Sequence, residues 1–589
     1  MHVASIVSGL LILSLLAIGA CAAPVATNLQ GTCRQGQVFL TWDEPVGWDG
    51  RLTVLSSPVP ITTENAHQAT VISHHMMPGS ARDWWLDPET FGNPLPVDPQ
   101  TGEKPPIPRE GFLLTPGGQR LNPDSGLHVH TVGPEEAGPR YFAVVSVGAD
   151  GVENWEIVPG VNATTEAIYQ EPAPVEPIWQ NAGAPPDPST GKRKALHLVL
   201  HAKTGRGGMD FLAFGDASLG WREGLPFKFG VRITDSAVIV TPTDRTWIDR
   251  MFNEGKDNCQ KLTPAIHSFW YGYNSNIYDP ARMPQGTVVN YTERRLLWIL
   301  DWVQRTYQTD PNRVYAQGSS MGGCGCISFA LRHPEIFAAV RAHVPIVAYG
   351  PSLSGDSTYR IVAETGGLDM PTNEGMTVRE RLDATRFVRS YRGDLPFLVI
   401  TNGRKDGSIP WAKNPDFYRA MQEARQGMIA AWDDGEHSTC GASLPPDVKA
   451  YNNLEAFHRL FARNKSYLAF SHASTDNNPG NGDPKDGDIA GFMGRGFTWE
   501  EPKDEAERYE VVVKWILEPA ALPVTVDVTP RRLQAFHLAP GDQVTAINLD
   551  AASGAEVQKV TLTADAQGLV TFCGFQITSA AGNRLVLSR

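Results

Sequence analysis

Beyond its first two dozen residues the chain has no apolar run that approaches bilayer length, so its body is expected to be soluble. Positive charge is in deficit: 51 Lys and Arg stand against 64 Asp and Glu, a formal net charge of −13. Such a surface repels phosphate backbones and anionic membranes on average, which argues against a nucleic-acid partner. Cysteine is scarce, with seven in 589 residues, and the histidines, His74-His75 included, show no zinc spacing. No repeat of solenoid period is present. Hydrophobic residues are not lacking: at 41%, with 20% charged, they suit several buried cores. A chain of this length is too long for one core, and three folded units are expected.

Residues 3–20 are apolar and end in Ile18-Gly19-Ala20-Cys21, which reads as an export signal within residues 1–23. Lipid attachment at Cys21, as in a bacterial lipoprotein, and ordinary cleavage around Ala22-Ala23-Pro24 both remain open, so the protein is expected to be secreted or held at the cell envelope. Its one membrane contact would be that anchor. No Lys or Arg precedes the apolar run, a departure that a misplaced start would explain. Six cysteines then remain: Cys33, Cys259, Cys324, Cys326, Cys440 and Cys573. They allow about 15 complete pairings, and the sequence selects neither a bridge near 324–326 and 440 nor a set of buried free thiols.

From 24 to 170 the ordered segments are short and alternate in polarity, at 37–42, 51–56, 128–132, 140–147 and 163–169, which predicts a β-sandwich. Val38-Phe39-Leu40-Thr41-Trp42 and Arg140-Tyr141-Phe142-Ala143-Val144 resemble a fibronectin type III module, with 73–127 as a long insertion. Trp84-Trp85 in that insertion could reach over a binding cleft, but anchoring it onto its own module is the preferred reading. Glu171-Pro172-Ala173-Pro174 opens a proline-rich linker over 171–180. Apolar runs at 196–200, 236–241, 313–317, 396–401 and 428–432 read as buried strands. Helical spacing at 293–307, with Thr292 as N-cap, and at 415–425 places helices between them. The expected fold over 181–463 is therefore α/β, a doubly wound parallel sheet covered on both faces. Beyond 464, strands at 467–470, 509–516, 524–528, 544–549, 557–563 and 583–587 predict a second β-sandwich.

Gly318-Ser319-Ser320-Met321-Gly322 has the pattern of a nucleophile elbow, a sharp turn between a strand and a helix that presents a serine. A plausible strand at 313–316 precedes it and a plausible helix at 326–332 follows. Gly318 and Gly322 would keep Cβ atoms out of a turn where strand and helix backbones meet. A serine hydroxyl needs a base, and the base needs an orienting acid. The required order of Ser, acid and His is met by Asp406, in the loop after the 396–401 strand, and His437, in the loop after the 428–432 strand.

Asp310-Pro311-Asn312-Arg313-Val314-Tyr315, followed by the elbow and Gly323, resembles the polyhydroxybutyrate depolymerase and feruloyl esterase group of α/β-hydrolases over roughly 194–437. The resemblance implies a secreted esterase with Ser320, Asp406 and His437 as its triad, acting on an ester that is polymer-linked in many such enzymes. It further implies oxyanion donors at the Met321 N–H and after the 196–200 strand. There the group usually shows His-Gly, whereas this chain reads His201-Ala202-Lys203, and the Lys203 N–H is taken as the second donor. Val528-Thr529-Pro530-Arg531-Arg532 resembles an accessory domain attached to such hydrolases.

Trp270 and Tyr273, within Phe269-Trp270-Tyr271-Gly272-Tyr273-Asn274, and Trp411, five residues after Asp406, are candidates for an aromatic substrate wall or for core packing. Asp476, Asn478, Asp483, Asp486 and Asp488 offer oxygen ligands of the kind calcium takes. The loop fails the EF-hand template at Asn481 and Gly487, so a solvated acidic turn is preferred. Acyl transfer to water through Ser320 requires no cofactor or metal. Two rivals stand beside ester hydrolysis: a peptidase on the same machinery, and an inactive hydrolase whose β-modules hold a polymer.

Overall fold

The computed structural model describes residues 24–589 except 46, 48–49, 87–96, 104–108, 149–150, 189–192, 204, 206, 216–224, 245, 248–264, 278–280, 351–355 and 519–521. The apolar opening stretch with Cys21, and Cys259, lie outside the described residues. The chain divides into two compact units: 1–83, 109–112 and 121–174 in one, and 84–108, 113–120 and 175–589 in the other.

In the first unit, Thr27–Arg34, Gln37–Asp43 and Ser125–Thr131 form a three-stranded antiparallel sheet. Arg51–Ser57, Thr70–Met76, Gly138–Val147, Glu153–Asn154 and Ile168–Gln170 form a second. Alternate side chains of both sheets, among them Val38, Leu40, Trp42, Val54, Phe142 and Val144, share one core, as the period-two pattern requires. The sequence reading missed Thr27–Arg34 and Thr70–Met76, and 163–169 is a strand only from Ile168.

In the second unit, strands β1 (Ile178–Trp179), β2 (Ala195–Leu200), β3 (Phe211–Phe214), β4 (Pro226–Ile233) and β5 (Ala237–Pro242) precede helix α1 (Tyr291–Tyr307). Then come β6 (Val314–Ser319), α2 (Met321–Ser328), β7 (Ala339–His343), β8 (Phe397–Gly403), α3 (Asn414–Glu423), β9 (Met428–Asp433) and β10 (Gly491–Met493). The sheet runs β10-β9-β8-β7-β6-β2-β5-β4-β3-β1. From β9 to β5 all neighbours are parallel, and the strands at either end pair antiparallel. Both faces are buried, which is why these strands read as unbroken apolar runs.

The two faces are closed differently. Leu198, Ala316, Val340 and Ile400 share a core with α1, α2 and α3 through Leu296, Met321 and Phe417. Tyr315, Ala339, Phe397 and Val399, of opposite parity, pack with Leu454 and Phe457 and with the C-terminal strands through Leu468, Val526 and Phe575. This corrects two expectations. The second face is not wound with the helices named above but covered by the short 454–457 turn and by β-structure, and the segment after 464 clusters with the second unit instead of standing as a third. It forms a three-stranded sheet of Tyr467–Ser471, Val524–Arg531 and Phe572–Ile577, and a six-stranded sheet that includes Arg508–Trp515, Gln543–Asp550 and Asn583–Ser588. Arg531 and Arg532 fasten it to the strand starts: Arg531 pairs with Asp394 at 2.6 Å, and Arg532 donates to the carbonyls of Ala338, Leu395 and Ala462.

Two further expectations change. Trp84 and Trp85 stack at 3.7 Å, but their segment clusters with the second unit, where the Lys228 ammonium lies 5.6 Å over the Trp85 ring. Thr292 is not the N-cap of α1; Asn290 is, and Thr292 sits inside the helix bonded to the Ser268 hydroxyl.

Candidate active site

Strand β6 turns into α2 at Ser320, whose φ of 56° and ψ of −119° lie outside the regions open to ordinary residues. Packing holds it there. The Ser320 N–H donates to the His343 carbonyl at 2.9 Å, and its own carbonyl accepts from Cys324 N–H at 2.8 Å. A Cβ on Gly318 would lie 2.3 Å from the Gly322 carbonyl carbon, so the strand-to-helix approach excludes any side chain at 318. The helix begins directly after the serine, five residues earlier than the 326–332 reading.

Asp406 and His437 come from the loops that follow β8 and β9. His437 Nδ1 lies 2.7 Å from Asp406 Oδ2, and Nε2 lies 2.8 Å from Ser320 Oγ. With the proton on Nδ1 donated to the carboxylate, Nε2 is left to accept from the serine hydroxyl. The other Asp406 oxygen accepts the N–H groups of Ser408 and Ile409, both at 2.8 Å, and this side chain is 1% exposed against 31% for His437. The structure brings the three sequence candidates into one hydrogen-bonded row.

The supports of that row were not legible in the sequence. Asp433, at the end of β9, accepts from Gly435 N–H, Gly441 N–H and the Ser443 hydroxyl, and so shapes the loop that carries His437. Arg404 N–H donates to the Asp433 carbonyl and Lys405 N–H to the Gly435 carbonyl, tying the acid loop to the histidine loop. The Arg404 guanidinium, itself buried, donates to four carbonyls of one loop: Asp486 at 2.9 Å, Gly487 at 3.2 Å, Pro484 and Asp488. This is the loop read as a possible calcium turn. Its oxygens face an internal cation, while its carboxylates accept from its own backbone: Asp488 from Asn478 N–H, Asp486 from Asn481 N–H and Asp483 from Lys485 N–H.

After β2, His201 fixes the path that Ala202 left open. Its Nε2 accepts from Asp244 N–H at 2.9 Å, which leaves Nδ1–H to donate to the Ala202 carbonyl at 2.8 Å. Asp244 is fully buried and paired with Arg295, and it also accepts from Ser268 and from Trp270 N–H at 3.1 Å. Lys203 lies in the turn that follows, between described Ala202 and Thr204, which is outside the described residues. Met321 opens α2, where an N–H has no acceptor within the helix.

The aromatic wall is corrected. Trp270, Tyr273 and Trp411 are buried: Trp270 packs edge-on to the His201 ring, Tyr273 against Tyr291, and Trp411 among Tyr418, Trp432 and the Arg404 guanidinium. They support the loops of the site without offering a surface to a substrate. Cys324, Cys326 and Cys440 are buried free thiols, and burial raises the Cys324 thiol to about 11. No bridge forms among the described cysteines.

A family model described as "Putative esterase" matches residues 288–427, a stretch that holds Ser320 and Asp406 and stops short of His437. No curated protein matches the chain. Among solved structures, an S-formylglutathione hydrolase from Agrobacterium tumefaciens is similar at 15% identity over 52% of this chain and 86% of its own, with a TM-score of 0.29. A ferulic acid esterase is similar at 17% identity over 42% and 79%, with a TM-score of 0.25. An esterase from the planctomycete Thermogutta terrifontis is similar at 15% identity over 45% and 82%, again with a TM-score of 0.25. The chain carries an esterase domain and is an ester hydrolase.

Proposed function

We propose that the chain is an exported serine carboxyl-ester hydrolase that works through an acyl-enzyme, with Ser320 as nucleophile, His437 as base and Asp406 as the acid that orients it. The observation that carries this reading is the continuous row from Asp406 Oδ2 through both nitrogens of His437 to Ser320 Oγ. His437 Nε2 takes the hydroxyl proton as Oγ attacks the ester carbonyl, and Asp406 stabilises the imidazolium that forms. The tetrahedral oxyanion is held by the Met321 N–H and, across the elbow, by the Lys203 N–H at the end of the path that His201 braces. Collapse expels the alcohol, which takes its proton from His437. Water enters, gives a proton to the same imidazole and attacks the acyl carbon, releasing the carboxylic acid and restoring Ser320.

The substrate we assign is a polymer-linked ester, of a polyhydroxyalkanoate, a feruloylated or acetylated polysaccharide or a polyester. The likeness of the 310–323 segment to depolymerases and feruloyl esterases supports it, as does the apolar export-type opening. The test is a side-by-side assay on p-nitrophenyl butyrate, polymer-ester films and a chromogenic peptide amide. Hydrolysis of the small ester and of at least one polymer supports the assignment; cleavage of the amide alone would replace it with a peptidase.

A further inference from the structure

Arg341 lies in the middle of β7, on the sheet face opposite α2, and is 4% exposed. A buried guanidinium is normally paired with a carboxylate, because taking the charge out of water costs several kcal/mol that only a counter-charge offsets. Arg341 has no such partner among the described residues. Its Nε and one Nη reach the Asn452 amide oxygen at 3.3 and 3.2 Å, and the other Nη donates to the Ala342 carbonyl at 2.8 Å. Of the five N–H groups an arginine carries, two are left without a protein acceptor.

That guanidinium lines a cavity of about 390 Å³, within the size range of small-molecule sites. Gln317 and Ser319 of β6, His343 of β7 and Asn452 supply the other polar groups of the wall, and Leu200, Ala202 and Leu444 part of its apolar surface. Among the described residues no aspartate or glutamate lines it. Register explains the grouping: Arg341 stands beside Gln317, and His343 beside Ser319, on adjacent parallel strands, so all four project to one face. His343 Nδ1 is buried with no hydrogen-bond partner among the described residues, and burial together with the Arg341 charge lowers this imidazole to about 4, leaving it neutral. Ser320 and His437 are not among the described residues that line the cavity.

We propose that this cavity is a binding site for a small organic carboxylate, which supplies the counter-charge that Arg341 lacks. A carboxylate matches the planar fork of a guanidinium better than a spherical anion does and accepts two parallel N–H bonds. The donors of Gln317 and Ser319 stand beside it. If the proposed hydrolysis is right, the acid product belongs to the same chemical class, and the site adjoins the elbow that makes it: Ser319 precedes the nucleophile, and the His343 carbonyl holds the Ser320 N–H.

The test is a thermal-melt titration of the full chain with sodium acetate and sodium butyrate, against sodium chloride at equal ionic strength. It is run on the native protein, on Ser320→Ala and on Arg341→Gln. The site predicts a saturable rise of a few degrees in native protein and Ser320→Ala alike, absent from Arg341→Gln. It also predicts that Arg341→Met melts no lower than native protein when no carboxylate is present, since an uncompensated charge has been removed. No saturable rise in the native protein overturns the proposal without recourse to any variant. A rise that survives in Arg341→Gln, or that chloride reproduces, overturns it too. Ester hydrolysis by Ser320→Ala would instead refute the triad and leave the carboxylate site standing.

Discussion

Gly322 sits so close beneath the end of β2 that a Cβ on it would lie 2.1 Å from the Leu200 carbonyl oxygen. That oxygen belongs to backbone and cannot swing aside, so Gly322→Ala must push α2 away from the sheet and move Ser320 off its hydrogen bond to His343. The expected result is loss of esterase activity by at least about 100-fold, the cost of a displacement near 1 Å at reacting atoms. Circular dichroism and activity on p-nitrophenyl butyrate, measured together, check it.

Asp406→Asn keeps the size of the side chain and removes its charge. An amide can present its NH₂ to Nδ1 and so favour the tautomer that carries its proton on Nε2, which cannot accept from Ser320. The turnover number is expected to fall on the order of 10³- to 10⁴-fold with KM little changed and the melting temperature close to native. Steady-state kinetics at fixed pH read both parameters.

Arg404→Lys tests the clamp behind the acid. An ammonium is a point charge on a flexible stem and cannot reach the four carbonyls that the planar guanidinium gathers. The acid loop should loosen, with activity down by about 10- to 100-fold and faster amide hydrogen exchange over 484–488 and 403–409. Hydrogen exchange by mass spectrometry reports both segments in one run.

What the sequence disclosed follows from how local each signal is. The elbow, the acid and the histidine each follow a strand whose apolar run is five or six residues long, and chain order with that placement brought them together, as the resemblance also implies. Arg404 could not be read, because its acceptors lie about 80 residues away and are backbone carbonyls that carry no residue signature. Asp244, with Arg295 and His201, is hidden for the same reason: its partners are dispersed from 201 to 295. Trp270 and Trp411 were ambiguous because an aromatic near a catalytic residue in sequence serves equally well as wall or as support, and burial alone decides. The covering of the second sheet face by the C-terminal strands was hidden too, since a face of alternating apolar residues is the same whether helix or sheet closes it.

In the N-terminal unit, Glu44 accepts from Gly79 N–H, yet burial outweighs that bond and raises its carboxyl to about 7. A carboxyl whose folded-state value lies above its unfolded one contributes stability that is full below the unfolded value, about 4.5, and lost as pH rises through about 7. His128 acts in the opposite sense: buried neutral and lowered to about 3, it withdraws stability as pH falls below about 6.5. Glu44→Gln keeps an acceptor for Gly79 and removes the first term. The variant should be more stable than native protein well above pH 7 and lose that advantage toward pH 4.5, as calorimetric melts at the two extremes will show.

The most direct measurement is active-site labelling: native protein and Ser320→Ala are exposed to a fluorophosphonate, digested and read by mass spectrometry, with p-nitrophenyl acetate hydrolysis followed in the same samples. The account predicts one phosphonyl adduct, on Ser320, and joint loss of adduct and turnover in the variant. Full turnover in Ser320→Ala, or an adduct on a different serine, would contradict it.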